Sequence, residues 1–295
     1  MRKYLLIILV VYLTIQFTPT IHEEGRVQPF FCDETECKDI IKQMVSKNDS
    51  TCVFYEIDPH YAEEIQKYTN LYVYKESYEG IGEPVRNEEG LMHHKYCTIE
   101  PYWVITGSYN PSKTGHRDNL IIIESETLKN NYEEETRRLH DGTKPSYHTR
   151  FTHNGYDIEN YFCAIHDCQK EVIEEIQTAK KRIDFLTFTF TDEEIAEALQ
   201  NKAPHVELSG MIEQFQNHEY WVYPMLQDYN VTLHDKDKFQ HNKLFIIDNT
   251  TILGSYNPTW SANNKNDENI LIINDPNITR EYKKYYNRTW TDVLN

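Results

Sequence analysis

Two short stretches of this sequence pair a histidine with a lysine two residues on: His93-His94-Lys95 and His241-Asn242-Lys243. Each leads into the same turn, Gly107-Ser108-Tyr109-Asn110-Pro111 and Gly254-Ser255-Tyr256-Asn257-Pro258. An extended backbone turns residues i and i+2 to one face. His93 therefore projects with Lys95 and His241 with Lys243, while Tyr96 and Leu244 turn to the opposite face. The turns that follow offer Ser108, Asn110, Ser255 and Asn257, small polar groups able to donate to a phosphoryl oxygen. Two such half-sites set face to face put two imidazoles, two ammoniums and two amides around one anion. That inventory suits phosphoryl transfer without a metal or cofactor. One imidazole attacks phosphorus, the other protonates the leaving oxygen, and the lysines and amides hold the charge that develops. Water then breaks the phosphohistidine, with the second imidazole as base. His60, His94, His116, His166 and His218 lack such partners and are given no role.

The elements that position these groups also come twice. Phe30-Phe31-Cys32-Asp33-Glu34-Thr35-Glu36-Cys37 leads into a helix-like segment, and Tyr161-Phe162-Cys163-Ala164-Ile165-His166-Asp167-Cys168 does the same. In the second copy Val172, Ile173, Ile176 and Ala179 fall on one helical face. Strand-like runs follow, Cys52 to Ile57 and Ile183 to Phe190. Thr191-Asp192-Glu193-Glu194 then has capping-box spacing ahead of a helix, and Pro59 to Ile65 holds the equivalent place. After the paired turns come Asp118-Asn119-Leu120-Ile121-Ile122-Ile123 and Glu268-Asn269-Ile270-Leu271-Ile272-Ile273. Copy one is shorter and lacks a clear counterpart of Val206 to Phe215. Strands alternating with helices imply an α/β sheet in each half, and duplication within one enzyme explains the repeat better than two independent modules. The aromatic stretch from Tyr282 to Trp290 reads as a final amphipathic helix packed on the sheet.

His-x-Lys, an acidic residue five positions after the lysine, and then Gly-Ser and Asn together resemble the HKD motif of the phospholipase D superfamily. The second copy matches with His241, Lys243 and Asp248, the first with His93, Lys95 and Glu100, a Glu where the family pattern has Asp. The resemblance covers nearly everything from Phe30 to the C-terminus. It implies an α/β fold of two similar lobes, each a mixed sheet flanked by helices, forming a pseudo-dimer within a monomer. The expected organisation is a segment 1–25, a first lobe 26–130 with its motif at 93–100, a connection 131–159, and a second lobe 160–295 with its motif at 241–248. The family pattern also holds a carboxylate that fixes the nucleophilic ring by accepting its other N–H. Glu268 and Asp118 stand in that place. By the same pattern Asp248, and Glu100 in its stead, support the backbone and handle no protons. The implied activity is hydrolysis of a phosphodiester, with a phospholipid as first choice. A metal-independent nuclease is the alternative, and a non-catalytic phosphate-binding protein the second.

Charge and compartment bear on that choice. The formal net charge is −17 and the pI near 5.2, whereas proteins that track nucleic acid carry a basic face. Arg2-Lys3 followed by the apolar run from Tyr4 to Phe17 has the form of a signal peptide or membrane anchor. Glu23-Glu24 after it places the main domain outside the cytoplasm. Of the six cysteines, Cys32/Cys37 and Cys163/Cys168 have spacing for a local disulfide or half of a zinc site. With an export signal present, disulfides are expected. Cys52 and Cys97 are read as plain buried thiols.

Overall fold

The computed structural model describes residues 21–112, 116–214, 222–235 and 238–294. Segment 1–20, Phe215, His218, Lys236 and Asp237 lie outside them. Two mixed sheets form the frame. The first runs, edge to edge, Val27–Phe31, Asn119–Glu124, Trp103–Gly107, Lys95–Ile99, Ser50–Phe54, Asn70–Tyr74, Glu83–Val85. The second repeats that order as Tyr156–Phe162, Asn269–Ile273, Thr250–Gly254, Lys243–Ile247, Arg182–Thr187, Glu207–Glu213, Val231–His234, with Arg150–His153 and His22–Glu23 added beyond its first strand. Corresponding neighbours share the same sense: Ser50–Phe54 runs parallel to Asn70–Tyr74, and Arg182–Thr187 parallel to Glu207–Glu213.

Asn70–Tyr74 is thus the counterpart of Glu207–Glu213 that the sequence did not reveal. The first lobe is not a strand short. Residues 131–159 are not a bare connection either. Helix Glu126–Asp141 and strands Arg150–His153 and Tyr156–Phe162 occupy most of them. At the other end, His22–Glu23 pairs in register with Thr152 and His153, so residues from Ile21 onward belong to the fold. No helix among the described residues is long and apolar enough to cross a membrane.

Burial follows from strand alternation. The outer face of the first sheet packs Cys52, Phe54, Cys97 and Ile105 against helices Cys37–Val45 and Pro59–Ile65. The outer face of the second packs Phe185, Phe245, Ile247 and Ile272 against helices Cys168–Thr178 and Glu193–Lys202. The inner faces meet in one shared core. Tyr96, Val104, Ile121, Leu244, Leu253 and Leu271 come together there with Leu128, Tyr132, Tyr282, Tyr285 and Tyr286 from helices Glu126–Asp141 and Pro276–Leu294. The expected C-terminal helix is present. Its apolar stripe faces inward, with Tyr285 stacked on Phe31 at 4.1 Å between ring centres.

All six cysteines are paired. Cys32–Cys37 and Cys163–Cys168 form the expected local bridges. Cys52 and Cys97 are not free thiols; they are directly opposite residues on adjacent antiparallel strands and form a third bridge. Replacing both by Ala should lower the unfolding free energy by about 2–4 kcal/mol, the usual effect of removing a native bridge, read from a urea midpoint. Peptide mapping without reductant should recover a Cys52–Cys97 linked pair, and alkylation of either cysteine before reduction would refute that pairing.

Candidate active site

Both His-x-Lys stretches lie on the seam between the sheets. The strands begin at Lys95 and Lys243, so each histidine sits just ahead of its strand, where the chain runs beside the other lobe. Here the two lobes touch backbone to backbone. His93 N donates to Asp267 O at 2.9 Å and His241 N to Arg117 O at 3.0 Å. That register places each imidazole beside the carboxylate of the opposite lobe. His93 Nδ1 donates to Glu268 Oε2 and His241 Nδ1 donates to Asp118 Oδ1, each at 2.8 Å. The expected orienting carboxylates are therefore present, and they work across the seam. Neither half-site contains its own.

Each lysine folds back over its histidine. Lys95 Nζ donates to His93 O and Lys243 Nζ to His241 O, both at 2.6 Å. An aromatic ring floors each pair: Tyr55 lies 4.7 Å from the His93 ring with Lys95 above it at 5.2 Å. Phe188 holds the same relation to His241 and Lys243. Sequence reading gave these two aromatics no role, although each directly follows the strand that pairs with its motif strand, Ser50–Phe54 and Arg182–Thr187.

The serines act differently from expectation. Ser108 Oγ donates to Asp118 Oδ1 at 2.7 Å and accepts from Asn119 N at 3.1 Å. Ser255 accepts from Asn269 N at 3.0 Å and bonds Glu268. A hydroxyl has one proton to give, and here it goes to the carboxylate. In this structure Ser108 and Ser255 brace the acids, so their protons are committed to carboxylates. The glycines before them have a steric reason. Gly107 and Gly254 adopt φ of 152° and 149°, and a Cβ there would lie 2.3 Å and 2.2 Å from the carbonyl oxygens of Asn119 and Asn269. The backbone passes too close for any side chain. Asn257 and Asn110 follow on loops held through their prolines, Pro258 O accepting from Asp192 N at 3.1 Å and Pro111 O from Asp58 N at 2.8 Å. Asn257 Oδ1 accepts from Thr189 N at 3.4 Å, which leaves its amide protons free to face an anion. Asn110 Oδ1 is buried and meets no donor among the described residues.

The supporting acids diverge. Asp248 accepts from Lys180 N, Lys181 N and Arg182 N at 2.6, 3.0 and 2.9 Å, fixing the start of the neighbouring strand. Glu100 does not do this; its carboxylate turns outward to Lys129 at 2.8 Å. The extra methylene carries the charge past the backbone. His94, given no role from sequence, is fully buried and donates from Nε2 to Glu135 at 2.7 Å. Its counterpart Asn242 accepts from Asn119 Nδ2 at 2.6 Å. Asn242 thus ties the two lobes, and the His94 ring also faces the second lobe, its Nδ1 3.4 Å from Asn269 Oδ1.

Electrostatics follow from burial. Burial pushes His93 down to about 4 and His241 down to about 3, against the pull of their carboxylates, so both imidazoles rest neutral. Burial also lowers the lysines, Lys95 to about 7 and Lys243 to about 8, with Lys243 depressing Lys95 further. For Asp118 and Glu268 burial favours the neutral acid, but the facing imidazole and lysine outweigh it and hold both carboxyls below their usual range. Each imidazole is also influenced by the ammonium of the other lobe. The result is two neutral rings, each with Nδ1 held by a carboxylate and each within electrostatic reach of both lysines, whose own ammoniums are close to losing their protons.

A family model described as cardiolipin synthase, PLD-like domain, matches residues 33–140 and 172–290, more than half of the chain. The chain belongs to the phospholipase D superfamily. Among its relatives in that superfamily, the mitochondrial cardiolipin hydrolase of Chlamydomonas reinhardtii is 25% identical over 123 residues, 40% of this chain and 55% of that protein. The phospholipase D of Rickettsia prowazekii is 26% identical over 134 residues, 42% of this chain and 63% of that protein. The matched stretch thus spans little more than half the length of these relatives. In structure, phosphatidylserine synthase of Haemophilus influenzae superposes with a TM-score of 0.70 at 11% identity, covering 90% of this chain and 86% of that one. At that identity the likeness speaks for the two-sheet superfamily fold alone.

Two measurements check the electrostatics. In nitrogen-15 spectra of imidazole-labelled protein, His93 and His241 should stay neutral down to pH 5, where an ordinary surface histidine is already protonated; protonation near 6.5 would contradict the burial argument. Sulfate, which keeps one charge state across this range, should bind more weakly as pH rises through 7 and 8 and the lysines lose their protons. A pH-independent affinity would show that Lys95 and Lys243 do not face the anion.

Proposed function

We propose that this protein is a phosphodiesterase of the phospholipase D type, hydrolysing a phospholipid through a covalent phosphohistidine without a metal. The observation that carries the reading is the crossed pairing of His93 with Glu268 and His241 with Asp118. It commits Nδ1 of each ring to a carboxylate, and in the proposed scheme both Nε2 lone pairs face one phosphate beside the two lysines. His241 is the nucleophile in this scheme, because Asp248 braces its strand through three backbone bonds while Glu100 leaves the first motif unbraced. Nε2 of His241 bonds to phosphorus as the bond to the leaving oxygen breaks. His93, neutral at rest, takes up a proton from solvent at Nε2 when the anionic diester binds and delivers it to that departing oxygen, while Lys95, Lys243, Asn110 and Asn257 bind the phosphoryl oxygens. A water deprotonated by His93 then displaces His241 and releases the phosphomonoester. Both halves of the site come from one chain, so a monomer suffices.

The phospholipid choice rests on three supports: the strongly acidic net charge, the apolar N-terminal run, and the lipids after which the relatives are named. Three disulfides support work outside the cytosol, in an oxidising compartment.

The test uses purified protein with EDTA against phosphatidylcholine, cardiolipin, single-stranded DNA and bis(p-nitrophenyl) phosphate. Lipid cleavage is expected to survive EDTA, and His93→Ala and His241→Ala should each lose roughly 10²–10⁴-fold or more. The p-nitrophenolate leaving group needs no acid, so His93→Ala given bis(p-nitrophenyl) phosphate should release one p-nitrophenolate and accumulate a p-nitrophenyl phosphoryl group on the peptide carrying His241. Cleavage of DNA alone would replace the lipid reading with a nuclease. Strict dependence on an added metal would overturn the mechanism.

A further inference from the structure

The two half-sites differ at one position that hydrolysis does not use. Two residues before the orienting acid, the second lobe has Asn266, whose amide donates to Glu268 Oε1 at 3.3 Å and whose oxygen accepts from Leu91 N at 3.0 Å. The first lobe has His116 there. Its half-buried ring packs between Phe239 and His241, at 5.5 and 5.2 Å between centres. As a result His116, Asp118 and His241 each bring one potential ligand atom to within 4.8 Å of the others. The matching set in the other half, Asn266, Glu268 and His93, has an amide in place of the third ligand.

We propose that His116, Asp118 and His241 bind a borderline divalent transition metal such as Zn²⁺, and that the ion inhibits the enzyme. Two imidazoles and one carboxylate suit zinc and not magnesium or calcium, which prefer all-oxygen shells. Zinc bound tetrahedrally at about 2.0–2.2 Å from N and O ligands needs neighbouring donors about 3.3–3.5 Å apart, so a small inward turn of the surface-accessible His116 ring closes the site. A fourth position stays open for water or a phosphoryl oxygen. The carboxylate is already fixed by Ser108 at 2.7 Å, the kind of outer support that orients metal ligands. Inhibition follows from which nitrogen the ion takes. At Nδ1 it displaces the proton bonded to Asp118; at Nε2 it occupies the lone pair that faces phosphorus. Either way His241 is lost to the reaction. The inhibitory half of the proposal rests on the phosphodiesterase reading, whereas the binding half does not.

The test is therefore in two parts. EDTA-stripped full-length protein is titrated with Zn²⁺ by equilibrium dialysis and with Co²⁺ by visible absorption, neither of which needs turnover. One equivalent should bind, with the intense bands of a four-coordinate Co²⁺ site. His116→Asn, which copies the residue at position 266, should fold normally and weaken binding by more than the roughly 10–100-fold that loss of an outer-shell partner costs. Zn²⁺ should reduce bis(p-nitrophenyl) phosphate hydrolysis at least tenfold in the unmodified enzyme, with recovery on adding EDTA. His116→Asn should hydrolyse at the unmodified rate and resist the same Zn²⁺ concentration. Equal Zn²⁺ affinity in both proteins, or no stoichiometric binding in either, overturns the site. Binding lost in His116→Asn but accompanied by unchanged inhibition overturns the inhibitory role alone. Absence of hydrolysis throughout would fall on the phosphodiesterase reading while the dialysis result still decides the site.

Discussion

Two carboxylates, Asp118 and Glu268, sit with almost no exposure at the centre of the molecule, and each is matched by an imidazole from the other lobe. An isolated carboxylate at such depth would take up a proton instead of staying charged. Here each keeps its charge because a histidine and a serine donate to it and a lysine lies close by. Breaking one of these pairs would leave an uncompensated buried charge, which is far more costly than the pair itself is stabilising. The lobes consequently cannot come apart without exposing or neutralising these acids. Their docking and their chemistry depend on the same bonds.

Around this centre the seam is tied twice over by related contacts. Asn269 Nδ2 donates to Tyr132 Oη at 2.9 Å, and Tyr282 Oη to Asn119 Oδ1 at 3.3 Å. Each long helix thereby reaches the residue next to the orienting acid of the opposite lobe. The residue before that acid carries a charge in both lobes, and the signs are reversed. Arg138 pairs with Asp267, and Asp292 with Arg117. A repeat that has diverged in sequence has kept a tie at the same place by exchanging partners. His94 and Asn242 differ in a similar way: each faces the asparagine that follows the orienting acid of the other lobe, one with an imidazole and one with an amide.

The candidate groups could be picked out because their spacing is local. His93 and Lys95, His241 and Lys243, and the Gly-Ser-Tyr-Asn-Pro turns are each set by a few residues of backbone. The crossing of the acids was not legible, since Asp118 and Glu268 occupy like positions in each copy and nothing in the chain says which histidine each will meet. That is decided by how the lobes dock. The serines misled for a related reason. A hydroxyl beside a phosphate-like site could serve substrate or scaffold, and only the 2.7 Å contact from Ser108 to Asp118 decides. Asn70–Tyr74 escaped notice because a five-residue strand containing Asn and two tyrosines has little periodic signal. The Cys52–Cys97 bridge links residues far apart in sequence, although an even number of cysteines was itself a hint.

The lysines complete the argument about why a pocket so composed favours a reaction over mere binding. Both are buried, each sits close to a second positive charge, and Lys95 falls to about 7 and Lys243 to about 8. In the resting pocket near neutral pH, holding both protons is only marginally favourable. A phosphodiester brings one negative charge, and the five-coordinate phosphorus formed during attack brings more. Each increment of negative charge raises the lysines' affinity for their protons, so attraction strengthens as the reaction advances. Stabilisation that grows between ground state and transition state is the only kind that accelerates a chemical step. On the proposed mechanism, buried ammoniums close to neutral supply it without a divalent ion, and the aromatic floor of Tyr55 and Phe188 keeps them dry enough for the effect to be large.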